Sequence, residues 1–342
     1  VRIRSLEVTP YALPFREPYV TARGRIDRRE VALLRVRDDE GRVGLGEAVP
    51  LSMRGGASLA QVVAELEALG QRASLDEATL RGDAVGLSAP ARSAALTALL
   101  DLRGGAGDSQ PIECNATLVA GEPAAVADDA LAWAAEGFSS FKLKLGAGDD
   151  VEQVHAVREA VGPEARIRID ANAAWDVATA KRTLAEIEQF DIELAEQPVA
   201  GMDALAEVGA ATSIPIAGDE SIESCADAEV AARVGACDLA GVKLSKVGGP
   251  EAAIEIAEVM PCFLSSALDG PVGIAAAAQV AQTLDAQGGD GPRLAHGLAT
   301  QRLFASTVAS VECELRDGML HPPAGPGLGV ELDEDALRAH RL

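Results

Sequence analysis

The chain has 342 residues, 30 Lys+Arg against 53 Asp+Glu, and a formal charge of −23. That length supports one large domain or two unequal ones, and an apolar fraction of 48% excludes a disordered chain. The acidic balance argues against nucleic acid or an anionic membrane as a partner, because the field of the protein repels phosphate.

Residues 3–10 and 31–37 alternate apolar and polar as strands do, and residues 42–47 read as a strand with a glycine-rich end. Residues 58–69 and 89–102 carry apolar side chains at helical spacing. From about residue 112 the pattern becomes regular. Eight β-rich runs recur, at 114–119, 140–145, 166–170, 192–196, 214–218, 239–244, 262–266 and 293–296. Helical stretches rich in Ala and Glu, such as 151–161 and 178–189, separate most of them. This pitch predicts a parallel βα array, and eight units predict a closed barrel. A doubly wound open sheet is the competing architecture, but no strand is followed by its G-x-G-x-x-G turn. Residues 311–342, with Pro322-Pro and Gly325-Pro-Gly-Leu-Gly329, read as a return segment packing outside the barrel.

Residues 1–8 lack the apolar core and cleavage site of a signal peptide. No apolar run reaches the length of a membrane span, so a cytoplasmic protein is expected. The five cysteines are odd in number and widely spaced, which speaks against a disulfide framework or a zinc knuckle. No two of the four histidines stand at i,i+4 spacing, so a helical zinc site has no support.

Only five of the 30 basic residues are lysine: Lys142, Lys144, Lys181, Lys243 and Lys246. Four of them fall in two short stretches. The first, Phe141-Lys-Leu-Lys-Leu145, alternates, so its lysines share one face of the strand and its apolar side chains the other. With the apolar face packed on helices, Lys142 and Lys144 point into the barrel mouth, where the chemistry of such folds gathers. The next run, Arg168-Ile-Asp-Ala-Asn172, puts Arg168, Asp170 and Asn172 on the inward face. The following runs end at Glu196 and Asp219, and the sixth carries Lys243. Lys144, Asp170, Glu196, Asp219 and Lys243 follow one another at 23–26 residue steps, one βα unit each.

Three carboxylates on neighbouring strands repel unless a cation lies between them. An all-oxygen set suits a hard divalent ion, Mg2+ most naturally, with Mn2+ as a substitute. Such a site supports removal of a proton next to a carboxylate, since the ion stabilises the charge developing on the oxygens. A lysine whose charge is disfavoured by a neighbouring lysine serves as the base. Taken singly, each acid is better explained by a helix cap or a solvated loop. The conjunction is what points to chemistry.

The ordered K-x-K, Asp, Glu, Asp, Lys series, with Gly44-Leu-Gly-Glu-Ala-Val-Pro50 and Pro326-Gly-Leu-Gly-Val-Glu331, resembles the enolase superfamily in its muconate-lactonizing-like branch. The resemblance covers essentially the whole chain. It implies an α/β fold: a modified TIM barrel, (β/α)7β, at residues 105–310, with an α+β N-terminal capping domain at 1–104 completed by the C-terminal segment 311–342. It further implies Asp170, Glu196 and Asp219 as Mg2+ ligands, with Lys144 and Lys243 on opposite faces of a small-molecule carboxylate substrate.

Within the branch, Lys243-Leu-Ser-Lys-Val-Gly-Gly249, Leu264-Ser-Ser-Ala-Leu-Asp-Gly270 and His296-Gly-Leu-Ala299 are most similar to the o-succinylbenzoate synthase family of the actinobacterial kind. That similarity implies syn-dehydration of 2-succinyl-6-hydroxy-2,4-cyclohexadiene-1-carboxylate to o-succinylbenzoate in menaquinone biosynthesis. Lys144 is implied as base and then acid, Lys243 as the cation beside the enediolate and ring, and Lys142 as the group that tunes Lys144. Asn172 is read as orienting Asp170 or the water of the metal, and Arg168 as a substrate-binding residue. Ser265 and Ser266 either bind the succinyl carboxylate or cap a strand end. Arg54 either closes over the substrate or belongs to a solvated turn. His296 is read as a satisfied structural histidine and Lys246 as a loop charge. N-succinylamino acid racemases and dipeptide epimerases of the branch use the same two lysines. The epimerases carry an acidic motif after the last strands, where this chain reads Ala295-His-Gly-Leu-Ala-Thr-Gln301.

Overall fold

The alternating N-terminal residues form an antiparallel sheet of β1 (Arg2–Thr21), β2 (Gly24–Asp38) and β3 (Val43–Ala48), with β2 in the middle. The structure is a computed structural model and describes residues 1–21, 24–52, 55–71, 75–104, 110–287 and 293–342. Period-2 geometry divides β2 between two cores. Ala32, Leu34 and Val36 face a cluster with Val62, Leu66, Ala94 and Leu99, whereas Val31 and Leu33 join the core of the barrel. The first cluster is supplied by α1 (Leu59–Gly70), the short β4 (Leu75–Asp76), α2 (Glu77–Ala84) and α3 (Ala89–Arg103). Ser58 starts α1 by accepting from Gln61 N. A side chain at Gly46 would strike the backbone of Ala94, so this glycine lets α3 lie against β3.

After β5 (Ile112–Glu113) strand and helix alternate. The order is β6 (Ala116–Leu118), α4 (Pro123–Ala135), β7 (Ser140–Lys144), α5 (Asp150–Val161), β8 (Arg166–Asp170) and α6 (Val177–Ile187). Then come β9 (Ile192–Glu196), α7 (Met202–Gly209), β10 (Ile216–Gly218), α8 (Cys225–Val234) and β11 (Leu239–Val242). The four-residue α9 (Leu244–Val247), α10 (Pro250–Val259), β12 (Cys262–Leu264) and α11 (Pro271–Gln287) complete the series. Strands β6 to β12 form one parallel sheet in sequential order.

The ring closes through a short seam. His296 bridges Cys114 and Gly297 bridges Ser265, both in parallel sense. Gly297 N donates to Leu264 O at 2.7 Å, and Asn115 N to His296 O at 2.9 Å. His296 holds this seam from inside: its Nδ1 accepts from Leu264 N at 2.9 Å, and its Nε2 lies 3.3 Å from Asp285 Oδ1. It is a satisfied structural histidine. The chain then returns to the antiparallel sheet, where Tyr11 bridges Arg341 and Leu342 N donates to Pro10 O at 3.1 Å. All five cysteines are free. Among the described residues no helix is long and apolar enough to cross a membrane.

Candidate active site

All five residues of β7 are buried. Phe141 and Leu143 join the apolar core, and Lys142 and Lys144 take the inward face. Register sets their neighbours: Lys144 pairs with Asp170, and Asp170 with Glu196, across adjacent parallel strands. Asp219 follows Gly218 at the end of β10, and Lys243 follows Val242 at the end of β11. The three carboxylates are fully buried.

Lys142 Nζ reaches Glu196 Oε2 at 2.5 Å and Asp170 Oδ2 at 2.8 Å. Lys144 Nζ donates to the same Asp170 oxygen at 2.6 Å and to Asn172 Oδ1 at 3.1 Å. Asn172 N donates to Asp170 Oδ1 at 2.9 Å, with Asn172 in the left-handed region at φ 47. Asn172 thus orients both Asp170 and Lys144. Opposite them, Lys243 Nζ pairs with Asp219 Oδ2.

Burial opposes the charge of Asp170, but Lys142 and Lys144 outweigh it and hold this carboxyl well below the usual range. Burial and the charge of Asp170 push Glu196 up. Lys144 was expected to be tuned down, yet it sits above the ordinary lysine value. Burial draws it down and Lys142 opposes its charge, but Asp170, which both lysines share, outweighs the two.

Lys142 thus lies between Asp170 and Glu196, and Lys243 beside Asp219. Among the described residues no three acidic, His or Cys side chains converge as a ready metal cage. The donor set still fits a hard divalent ion: three carboxylates stand at consecutive strand ends, and Glu196 Oε1 is buried with no hydrogen-bond partner. Such an orphaned oxygen is costly unless a cation reaches it.

Two side chains depart from the sequence expectations. Arg168 faces inward but lies two residues below Asp170 and is absent from the pocket lining. Its Nη1 donates to Ala295 O at 2.5 Å, its Nε pairs with Glu193, and its guanidinium stacks on Phe263. It closes the barrel floor instead of binding substrate. Lys246 is no loop charge. It is buried in α9, and its Nζ donates to Asp219 O at 2.5 Å, Asp219 Oδ1 at 2.8 Å and Gly241 O at 3.1 Å. Arg54 lies outside the described residues.

Above the lysines is a cavity of about 100 Å³ whose lining includes Lys142, Lys144, Lys243, Asn172, Ser265 and Ser266. Ser266 Oγ donates to Asp269 Oδ2 at 2.8 Å, so its proton is not available to a substrate carboxylate. Sequence reasoning missed two contributions. Gln197 Oε1 accepts from Asp219 N at 2.9 Å and Ser221 N at 3.0 Å, fixing the Asp219 turn. From β1 and β2, Tyr19, Ile26 and the half-buried Arg29 form the far wall, and Arg29 Nη2 is steadied by Pro50 O at 2.8 Å. Arg29 sits among several arginines of β2, and only the cap-to-barrel packing singles it out.

A barrel with lysines flanking strand-end carboxylates under an antiparallel cap defines an enzyme class. Residues 125–336 match the family described as Enolase C-terminal domain-like, and the chain belongs to the enolase superfamily. It is similar to the o-succinylbenzoate synthase of Thermobifida fusca (strain YX), 40% identical over 184 residues, 51% of this chain and 56% of the relative. It is also similar to muconate cycloisomerase 1 of Rhodococcus opacus, 34% identical over 211 residues, 58% of this chain and 55% of the relative. These matches span little more than half the length of either relative. A crystal structure of a dipeptide epimerase from Cytophaga hutchinsonii, complexed with Mg and the dipeptide D-Ala-L-Val, superposes with a TM-score of 0.90 at 26% identity. It covers 99% of this chain and 98% of that one.

Proposed function

We propose that the chain is an o-succinylbenzoate synthase, dehydrating 2-succinyl-6-hydroxy-2,4-cyclohexadiene-1-carboxylate in the cytoplasm, on the menaquinone route. The observation that carries this reading is the charge pattern of the cavity. Its floor holds three lysines, its far wall holds Arg29 among apolar groups, and among the described residues no Asp or Glu lines it. A dicarboxylate with an apolar body and no amine suits that pattern. The α-ammonium of a dipeptide would find no acid, and Gly297 and Thr300 of the 295–301 segment line the cavity without supplying one.

Asp170, Glu196 and Asp219 are the residues that would hold Mg2+, or Mn2+ in its place, and the ion would supply charge that favours the enediolate over the substrate carboxylate. Lys144 takes the α-proton. Burial and the charge of Lys142 are the influences that favour its neutral form. The same proton then goes to the departing hydroxide, which leaves as water from the face where Lys144 stands. Lys243, paired with Asp219, stays charged against the other face of the ring. Lys142, between Asp170 and Glu196, fixes both carboxylates.

Purified protein with Mg2+ is expected to convert the cyclohexadiene to the aromatic product, followed by ultraviolet absorbance. Chelation should abolish turnover, and added Mg2+ should restore it. N-succinylamino acid racemization is the second reading, favoured by lysines on both sides of the cavity and by a substrate that also lacks an ammonium. Faster α-proton exchange of N-succinyl amino acids than dehydration would establish it instead.

Arg29 is the group placed to meet the distal carboxylate. Arg29→Met is expected to raise KM by about 10–100-fold, the equivalent of about 1.5–3 kcal/mol for a charged hydrogen bond, with kcat little changed. Equal affinity of the variant for o-succinylbenzoate and its succinyl mono-ester, measured by calorimetry, is the accompanying check.

A further inference from the structure

The turn between β12 and α11, which walls the cavity, is held by two acids that the lysine chemistry leaves unused. Glu47, near the end of β3, is 2% exposed, and Asp269, in the turn, is 7% exposed. Tyr11 Oη donates to Glu47 Oε2 at 2.9 Å, and Gly270 N donates to Glu47 Oε1 at 2.5 Å across 223 residues of sequence. Asp269 accepts from Ser266 Oγ at 2.8 Å and from Ala267 N at 2.7 Å. A Cβ on Gly273 would stand 2.9 Å from Asp269 Oδ1 and 3.0 Å from Glu47 Oε1. Both carboxyl oxygens therefore face one narrow gap, which glycine keeps open. Leu268, at φ 67, adopts a backbone that a non-glycine residue rarely takes unless the surroundings impose it.

Two ionised carboxylates facing one buried gap repel, and one of them keeps its proton. Burial pushes both carboxyls up. Asp269 is raised by burial, against which Ser266, Ala267 and the nearby Arg29 guanidinium favour its charge. Glu47 has Tyr11 and the amides of Gly270 and Gly273, but burial and the charge of Asp269 push its carboxyl up to about 7. From the C-terminal segment, Glu312 adds a further negative charge near Tyr11.

We propose that Glu47 and Asp269 are positioning residues: with Glu47 protonated and Asp269 ionised, they latch the turn of residues 265–270 onto the antiparallel sheet and set the wall of the cavity. The latch joins cap to barrel and is indifferent to which substrate is turned over. An acid raised by folding contributes its full stability below the ordinary carboxyl range and loses it as pH rises through the raised value. The latch is therefore closed in mild acid and loosens as pH climbs through about 7.

Hydrogen exchange on the full chain tests this without an activity assay. Exchange of amides 265–270, 272 and 273, corrected for the intrinsic rate, is expected to rise about tenfold between about pH 6 and about pH 9 in the wild type. In Glu47→Gln, which keeps the acceptor and cannot ionise, the rise should stay under about threefold. Protection that ignores pH in the wild type, or the same pH dependence in both proteins, overturns the proposal. Asp269→Asn gives a second arm should the glutamine variant not fold. Removing the opposing charge should move the opening to lower pH, and an unmoved midpoint counts against the latch.

Discussion

Replacement of Lys144 by alanine is expected to lower kcat by about 10²–10⁴-fold, the span that a positioned general base contributes. The loss should arise with little change in unfolding. Asp170 keeps Lys142 and the amide of Asn172 as partners when Lys144 is gone. The backbone of the strand is held independently, since Gln153 Nε2 donates to Lys144 O at 2.9 Å. Lys144→Arg should not restore activity, because a guanidinium stays protonated and accepts no proton. Steady-state turnover beside thermal melting of both variants checks the point. Retention of kcat within about tenfold of the wild type would remove Lys144 from the role of base.

Lys246→Met is expected to be among the most destabilising single changes in the barrel, by about 3–5 kcal/mol, as for other broken buried ion pairs. Asp219 Oδ1 and the carbonyls of Asp219 and Gly241 each lose a buried charged donor at once, although Asp219 Oδ2 keeps Lys243 and the Asp219 carbonyl keeps Ile222 N. A solvated loop charge in the same place would change stability by no more than about 0.5 kcal/mol. Urea unfolding separates the two outcomes by a wide margin. Because Asp219 is a proposed ligand, Mg2+ affinity should fall in the folded variant as well.

The barrel was legible in the sequence because each strand is a short β-rich run at a fixed pitch and each polar end repeats at that pitch. Lys142, Lys144, Asp170, Glu196, Asp219 and Lys243 emerged from this regularity, and they do stand together. Arg168 shows where the regularity stops. Period-2 alternation tells inward from outward, but carries no depth, and two residues along a strand is a different layer of the barrel interior. Lys246 fails for a related reason. Strand alternation ends at Val242, and one turn of helix carries Lys246 back beneath Asp219. Arg29, Glu47 and Asp269 depend on packing between segments more than 200 residues apart, which no local pattern encodes. The expected tuning of Lys144 was sound in sign for Lys142 and for burial. It left out that Asp170 would bind both amines through a single oxygen.

The seam that closes the ring has a consequence for how such enzymes diverge. Seven strands of the barrel are locked to neighbours by continuous ladders, but residues 295–297 form two isolated bridges with a few hydrogen bonds around them. They run into a 3₁₀ turn (Ala299–Leu303) in place of a full helix, and the same stretch contributes Gly297 and Thr300 to the cavity. His296 and Ala295 are tied into the seam, but Thr300 faces the cavity with an Oγ1 that makes no hydrogen bond among the described residues, so its side chain can be exchanged with less penalty to the scaffold. A lineage could thus retain one proton-transfer apparatus and trade acidic, small or hydroxylic side chains at the seam. Selectivity would then drift between amine-bearing and amine-free acids without the barrel being rebuilt.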